Sequence, residues 1–273
     1  KWSHFYDPDS VRRQSEFFDH FLLGKETGLS DWPRVEVEVR RSYYVGDMLV
    51  STDWPLPETV RRALYLDAAS GSLGEAVPEP ASASYDPGSS DQATSRLVFD
   101  HTFAADTTLV GHMKLQLFLS AETADDADIF VAVQKRDRQG NPVFFPVQSQ
   151  YEDGPVAVGW LRASHRELDE TRSRPHHPVL KHERELKLTP GEIVQLEIEI
   201  LPSGTFFAAG EALRLVVQGR DVWNWPKPNV MSLHEDSVNS GTYRVHTGGE
   251  HPSHLLLPVI PQDLSPSPLI PAP

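Results

Sequence analysis

At 273 residues the chain exceeds the usual single-domain size of about 100–150, though one β-sandwich can reach about 250; its 39% hydrophobic and 23% charged residues are those of an ordinary globular protein. A net charge of −14, with no Lys/Arg-rich stretch to offset it, repels phosphate backbones and removes nucleic acid from the expected partners. Apolar runs such as Leu255-Leu256-Leu257 fall far short of the roughly 18 residues a bilayer-crossing helix needs, so no membrane is expected, and the lack of cysteine removes disulfides, thiolate metal sites and a Cys nucleophile together.

A cysteine-free chain suits the cytoplasm, the leading expectation, and equally a disulfide-free exported protein. The chain begins at Lys1 with neither an initiator Met nor the charged-then-apolar pattern of a signal peptide, which predicts a piece of something longer.

Residues 7–24, DPDSVRRQSEFFDHFLLG, predict one amphipathic helix, with Asp9 or Ser10 as N-cap, apolar positions at Phe17, Phe18, Phe21 and Leu22, and Gly24 as the stop. From Arg34 the period falls to two: Val35, Val37 and Val39 alternate with Glu36, Glu38 and Arg40, as in a half-buried strand. Pro55 and Pro57 make 52–60 an extended connection, and RALYLD (62–67) reads as a short strand. Residues 69–95, dominated by Ser, Ala, Gly and Pro, read as a long surface loop.

Beyond that loop, strand-like runs follow one another at 96–103, 107–121, 127–137, 155–167, 193–201, 212–221, 242–247 and 254–260, with no helix between them. Gln139-Gly140-Asn141 marks a hairpin turn, and Ser203-Gly204 and Ala209-Gly210 mark further breaks. Such a series predicts a mainly β fold, a jelly-roll β-sandwich, rather than a parallel α/β sheet. Residues 263–273 form a proline-rich tail.

The search for chemistry returns candidates rather than a motif. There is no Gly-x-Ser-x-Gly elbow, since Ser70-Gly71-Ser72-Leu73-Gly74 and Asn239-Ser240-Gly241 lack the spacing, and there is no phosphate loop or His-Glu-x-x-His helix. His176 and His177, with His182 following, would hold a divalent metal if they converged, but read as a solvated loop. Asp125, Asp126 and Asp128 make an acidic knot of the kind that holds Ca²⁺, and read as a solvated turn. Trp223 and Trp225 offer flat faces for sugar stacking, against the commoner role of packing. His251 and His254 in GGEHPSHLLLPVIP (248–261) project to opposite faces if the segment is extended, and Pro252 and Pro258 disfavour the helix that would bring them together.

Five segments in order then carry a family likeness: RRQSEFFDHFLLG (12–24), STDWPLPETVRRALYLD (51–67), GWLRASHREL (159–168), LTPGEIVQLEIEILPSGTFFAAGEALRLVVQG (188–219) and GGEHPSHLLLPVIP (248–261). Together they resemble the C-terminal region of the X-Pro dipeptidyl-peptidase and cocaine esterase family of serine hydrolases. The resemblance implies that residues 1–50 end an α/β-hydrolase domain (helix, then strand) and that 51–95 are a linker and long loop. It implies that 96–262 form a galactose-binding-like jelly roll and that 263–273 are a tail. That jelly roll would be non-catalytic, packing on the upstream α/β-hydrolase domain and helping to shape a site where a small ester or Xaa-Pro peptide is cleaved.

The family's Ser-Asp-His triad would have its Ser and Asp upstream. Trp2-Ser3-His4 is similar to a Trp-Ser-His of the cocaine esterases. Where the FFDHFL helix follows this closely, however, the triad His is expected a few residues before the Lys-Trp pair, leaving His4 an ordinary side chain. No catalytic residue, cofactor or metal ligand is therefore assigned, and the chain alone is expected to be inactive. The rival readings are a carbohydrate-binding module with Trp223 and Trp225 as its platform, and a structural domain that forms homo-oligomers through exposed sheet edges.

Overall fold

The computed structural model describes residues 5–147, 151–222, 234 and 236–261. A single α-helix, α1 (Pro8–Leu23), precedes the strands among them. β1 (Val35–Ser42) and β2 (Val45–Ser51) form a hairpin, followed by β3 (Val60–Asp67), β4 (Ser72–Gly74), β5 (Ala81–Tyr85), β6 (Arg96–Thr102), β7 (Thr107–Ala121) and β8 (Asp128–Arg136). β9 (Pro142–Val143), β10 (Phe145–Val147), β11 (Tyr151–Gly154) and β12 (Ala157–Arg162) lead to β13 (Val194–Phe207), β14 (Ala212–Gln218), β15 (Tyr243–Thr247) and β16 (His254–Ile260).

Apart from a small β10–β11 ribbon, these strands form one sheet in the order β12-β8-β14-β6-β4-β3-β16-β7-β13-β1-β2, with β5, β9 and β15 joined from the side. Pairings are antiparallel except β1 with β13 and β4 with β6, each joined at a single register pair. The sheet curls over until β12, at one end of the order, lies against β13, near the other. Gly159 permits that approach: a Cβ there would stand 2.0 Å from the Glu199 carbonyl oxygen.

Strand alternation fills the space enclosed by the curl. Met113, Leu115, Leu117 and Leu119 of β7 interleave with Leu196, Ile198 and Ile200 of β13, Leu213 and Leu215 of β14, and Leu255 and Leu257 of β16. A smaller cluster of Val39, Leu49, Leu56, Val110 and Ile260 joins the β1–β2 hairpin to the sheet. The architecture is therefore mainly β, a curled sheet closed into a sandwich with one helix at its N-terminal side.

Three local expectations need correction. Residues 69–95 hold two strands, β4 and β5, because Leu73 and Tyr85 are buried and neighbouring strands supply the rest of the core; a segment that cannot fold alone can still be paired. Ser203-Gly204 does not break the chain, since β13 runs through it. A bulge between Ile200 and Ser203 takes up Leu201 and Pro202, whose missing N–H suits a bulge, and Gly204 lies where a Cβ would stand 2.3 Å from the Glu38 carbonyl oxygen of β1. The helix is capped by Asp7 rather than Asp9 or Ser10: Asp7 Oδ1 accepts the Asp9 N–H at 2.9 Å, and Pro8 opens the helix. The stop at Gly24, with φ of 63°, and the turn at Gly140 are as the sequence predicts.

Candidate functional site

None of the residues of α1 is buried. Its polar side is the side that touches the rest of the chain: Arg13 pairs with Glu36 of β1 and stacks 5.5 Å above the Trp32 ring, and Trp32 Nε1–H donates to Glu16 at 3.2 Å. The other side turns outward, with Phe18 at 55%, Phe21 at 61% and Leu22 at 73% exposure, beside exposed Phe17 and Leu23. Fully covering such side chains is worth roughly 1.5–3 kcal/mol each, and an apolar face of this extent marks a contact surface. The β1–β2 hairpin adds exposed Tyr44, Val45 and Val50.

A groove of about 1010 Å³ runs along β8, β12, β13 and the 166–193 connection, lined by Phe130, Trp160, His165, His177, Glu199 and Leu201 among others. Trp160 is about half exposed, and its ring lies 5.2 Å from the His234 imidazole. At one end of the groove three side chains meet. Glu199 of β13 sits opposite Lys114 of β7, so His112, two residues further along β7, shares its face and lies diagonal to it. His177 arrives from the connection, fixed by paired backbone hydrogen bonds with Arg174 of 2.9 and 3.0 Å.

His112 Nδ1 and His177 Nε2 each lie 3.0 Å from the same Glu199 oxygen, and the two imidazoles are 4.5 Å apart between centroids. The His112 approach is short but misdirected, so its shielded Nδ1 makes no hydrogen bond. Burial, the His177 ring and the Arg61 guanidinium hold His112 below the ordinary histidine range, against the pull of Glu199. Burial, with Arg61 and the neighbouring imidazoles, does the same to His176.

The residues singled out in the sequence have different fates. His251 packs edge-on against Phe118 at 5.2 Å, while His254 lies against Tyr65 at 5.5 Å with Nδ1 3.0 Å from the Pro252 carbonyl oxygen, so the two share no site. His182 turns to His165, with ring centroids 5.5 Å apart, and only His177 of its trio joins a cluster.

Of the acidic knot, Asp125 is exposed, as in a solvated turn, but Asp126 and Asp128 are buried. Asp126 is 2% exposed and accepts the N–H groups of Ala127 and Ser164 at 2.9 Å, with Lys187 Nζ at 3.2 Å. Asp128 takes a two-pronged contact from Arg162 at 2.8 and 3.0 Å and the Val238 N–H at 2.8 Å. Burial alone would raise the Asp126 carboxyl. The Ser164 hydroxyl, close but poorly aligned for a full hydrogen bond, acts with these N–H donors and Lys187 to hold it below the ordinary carboxylate range. Trp223, Trp225 and His4 lie outside the described residues.

Two features escaped sequence reasoning. Ser120 Oγ lies 2.9 Å from His246 Nε2, yet among the described residues no carboxylate bonds to that imidazole, so the pair lacks the orienting acid of a triad. His112 and Glu199 stand alone in strand-like runs, and only the register of β7 against β13 unites them.

The described residues thus form a curled β-sandwich with one helix whose apolar face is exposed. A profile of the X-Pro dipeptidyl-peptidase C-terminal non-catalytic domain matches residues 27–256, and the chain belongs to that family. A CocE/NonD family hydrolase from Staphylococcus aureus, known from its crystal structure, is 40% identical, with a TM-score of 0.89 over 95% of this chain and 47% of that one. Cocaine esterase from Rhodococcus sp. (strain MB1 Bresler) is 24% identical over 92% of this chain and 46% of its own length. An aminopeptidase from a marine sediment Thaumarchaeota archaeon, 20% identical with a TM-score of 0.65 over 93% of this chain and 45% of that one, shares the fold. The chain thus spans about half the length of these relatives, and α1 precedes the span that the family profile matches.

Proposed function

We propose that this chain is the C-terminal region of a serine hydrolase that cleaves an ester or an Xaa-Pro peptide, and that it packs through α1 on an α/β-hydrolase domain whose active site it helps to shape. The observation that carries the reading is the outward apolar face of Phe17, Phe18, Phe21 and Leu22 on a helix that buries none of its residues and is tied to β1 through Arg13 and Glu36. Such a helix needs cover from beyond the sandwich. The chemistry then belongs to the partner domain: Ser attacks the carbonyl, His moves the proton and Asp orients the His. This region supplies wall and position, as a jelly roll of the galactose-binding-like kind.

The test is a Phe18→Asp/Phe21→Asp double substitution in the full-length protein, which should uncouple the two parts and lower kcat/KM by about tenfold or more, since a small misplacement at a site is costly. Unchanged kcat/KM and unfolding would contradict the reading. The 273-residue chain alone should not turn over p-nitrophenyl esters or Xaa-Pro nitroanilides, and turnover blocked by a serine-directed phosphonate would equally contradict it.

Trp160 favours a second reading, a carbohydrate-binding module, because an exposed indole on a groove wall is a ready surface for a sugar ring. Titration with mono- and oligosaccharides separates the two. Binding that disappears in Trp160→Ala supports the module, and absence of binding leaves the accessory role.

A further inference from the structure

The geometry points to a divalent transition-metal site, of the kind that takes zinc, formed by His112, His177 and Glu199. The three donor atoms lie within 4.8 Å of one another, each imidazole nitrogen 3.0 Å from one carboxylate oxygen. Ligand bonds of about 2.0–2.1 Å in a tetrahedral shell place donors roughly 3.3 Å apart, so small side-chain rotations bring all three into reach of one ion. Two imidazoles with a carboxylate suit zinc-class ions better than calcium or magnesium, which prefer oxygen.

An ion pair between Glu199 and two histidines is the simpler account of the cluster. It leaves His112 Nδ1, shielded from water and 3.0 Å from the Glu199 carboxylate, without a well-aligned hydrogen bond, whereas buried polar atoms normally find a partner. A metal ion would provide one. The neighbouring cations are engaged elsewhere, Lys114 with Glu197 at 2.7 Å and Arg61 with the His112 carbonyl oxygen at 3.1 Å.

The site's role follows from where its ligands come from. His112 and Glu199 sit on paired strands, while His177 belongs to the 166–193 connection, which joins β12 to β13 with isolated bridges instead of strands. A bound ion would pin that connection to the sheet beside the groove that His177 and Glu199 line.

The experiment uses the 273-residue chain stripped with a chelator and titrated with Zn²⁺ by calorimetry and with Co²⁺ by visible absorption. One equivalent of Zn²⁺ should bind, and Co²⁺ should give the intense bands of a four-coordinate site. His177→Ala and the near-isosteric Glu199→Gln, each checked for folding by circular dichroism, should weaken binding by about tenfold or more. His165→Ala, which alters the neighbouring His165–His182 pair, should leave it unchanged. No binding by the unmodified chain, equal binding by the His177 and Glu199 variants, or a loss that follows His165→Ala would each overturn the proposal.

Discussion

β7 and α1 are both amphipathic, and they meet opposite ends. In β7, alternate residues Met113, Leu115, Leu117 and Leu119 vanish into the core while Lys114, itself covered and paired with Glu197, and half-buried Gln116 lie on the other face of the strand. In α1 the charged side is anchored to Trp32 and Glu36, and Phe18, Phe21 and Leu22 meet solvent. The same patterning rule shaped both, which shows that a periodic apolar stripe announces that a face will be covered but not which body covers it.

Unfolding the 273-residue chain in denaturant should expose that contrast most strongly. Leu117→Ala should cost about 2–5 kcal/mol, because it opens a cavity in a packed core, whereas Phe21→Ser should change stability by no more than about 0.5 kcal/mol. Comparable losses at both positions would break the comparison. Next in size is Gly159→Ala, whose added carbon must displace the β13 backbone at Glu199 and should cost about 1–3 kcal/mol. An unaltered midpoint would mean that the sheet does not close there.

A smaller, pH-dependent effect belongs to Asp126. Its carboxyl releases its proton at lower pH in the folded chain than in the unfolded chain, so the unfolded state binds more protons between the two values. The stabilisation is therefore complete above the ordinary carboxylate range and is lost as pH falls through the lowered folded value. Asp126→Asn should be less stable at neutral pH and lose less on acidification, as measured by thermal unfolding from pH 7 to pH 3. The smallest effect should come from Asp7→Ala. Loss of this cap costs a helix about 1 kcal/mol, but α1 buries nothing, so the change should appear in helical circular dichroism and not in the main unfolding transition.

Much of this fold was legible because local rules decide it. The 107–121 run is β7 end to end, Gly24 and Gly140 stop and turn the chain, and the HLLLPVI run is β16 with Leu255 and Leu257 inward. The family likeness carried by five ordered segments holds as well. What was not legible depends on partners brought from afar. β4 and β5 exist because β3, β6 and β15 offer them edges, and Ser203-Gly204 stays in a strand because β1 crosses it closely. Asp126 and Asp128 looked solvated because Lys187 and Arg162 are distant in sequence. His177 was a candidate from the start, but its partners are set by the β7–β13 register and by the bulge beside it, which no local pattern encodes.

The central claim is that α1 is an interface helix whose apolar face is covered by a catalytic domain. Amide hydrogen exchange across residues 8–23, compared between the full-length protein and the 273-residue chain, tests it most directly. Strong protection in the full-length protein and fast exchange in the chain alone is the predicted result, and equal exchange in both would contradict the account.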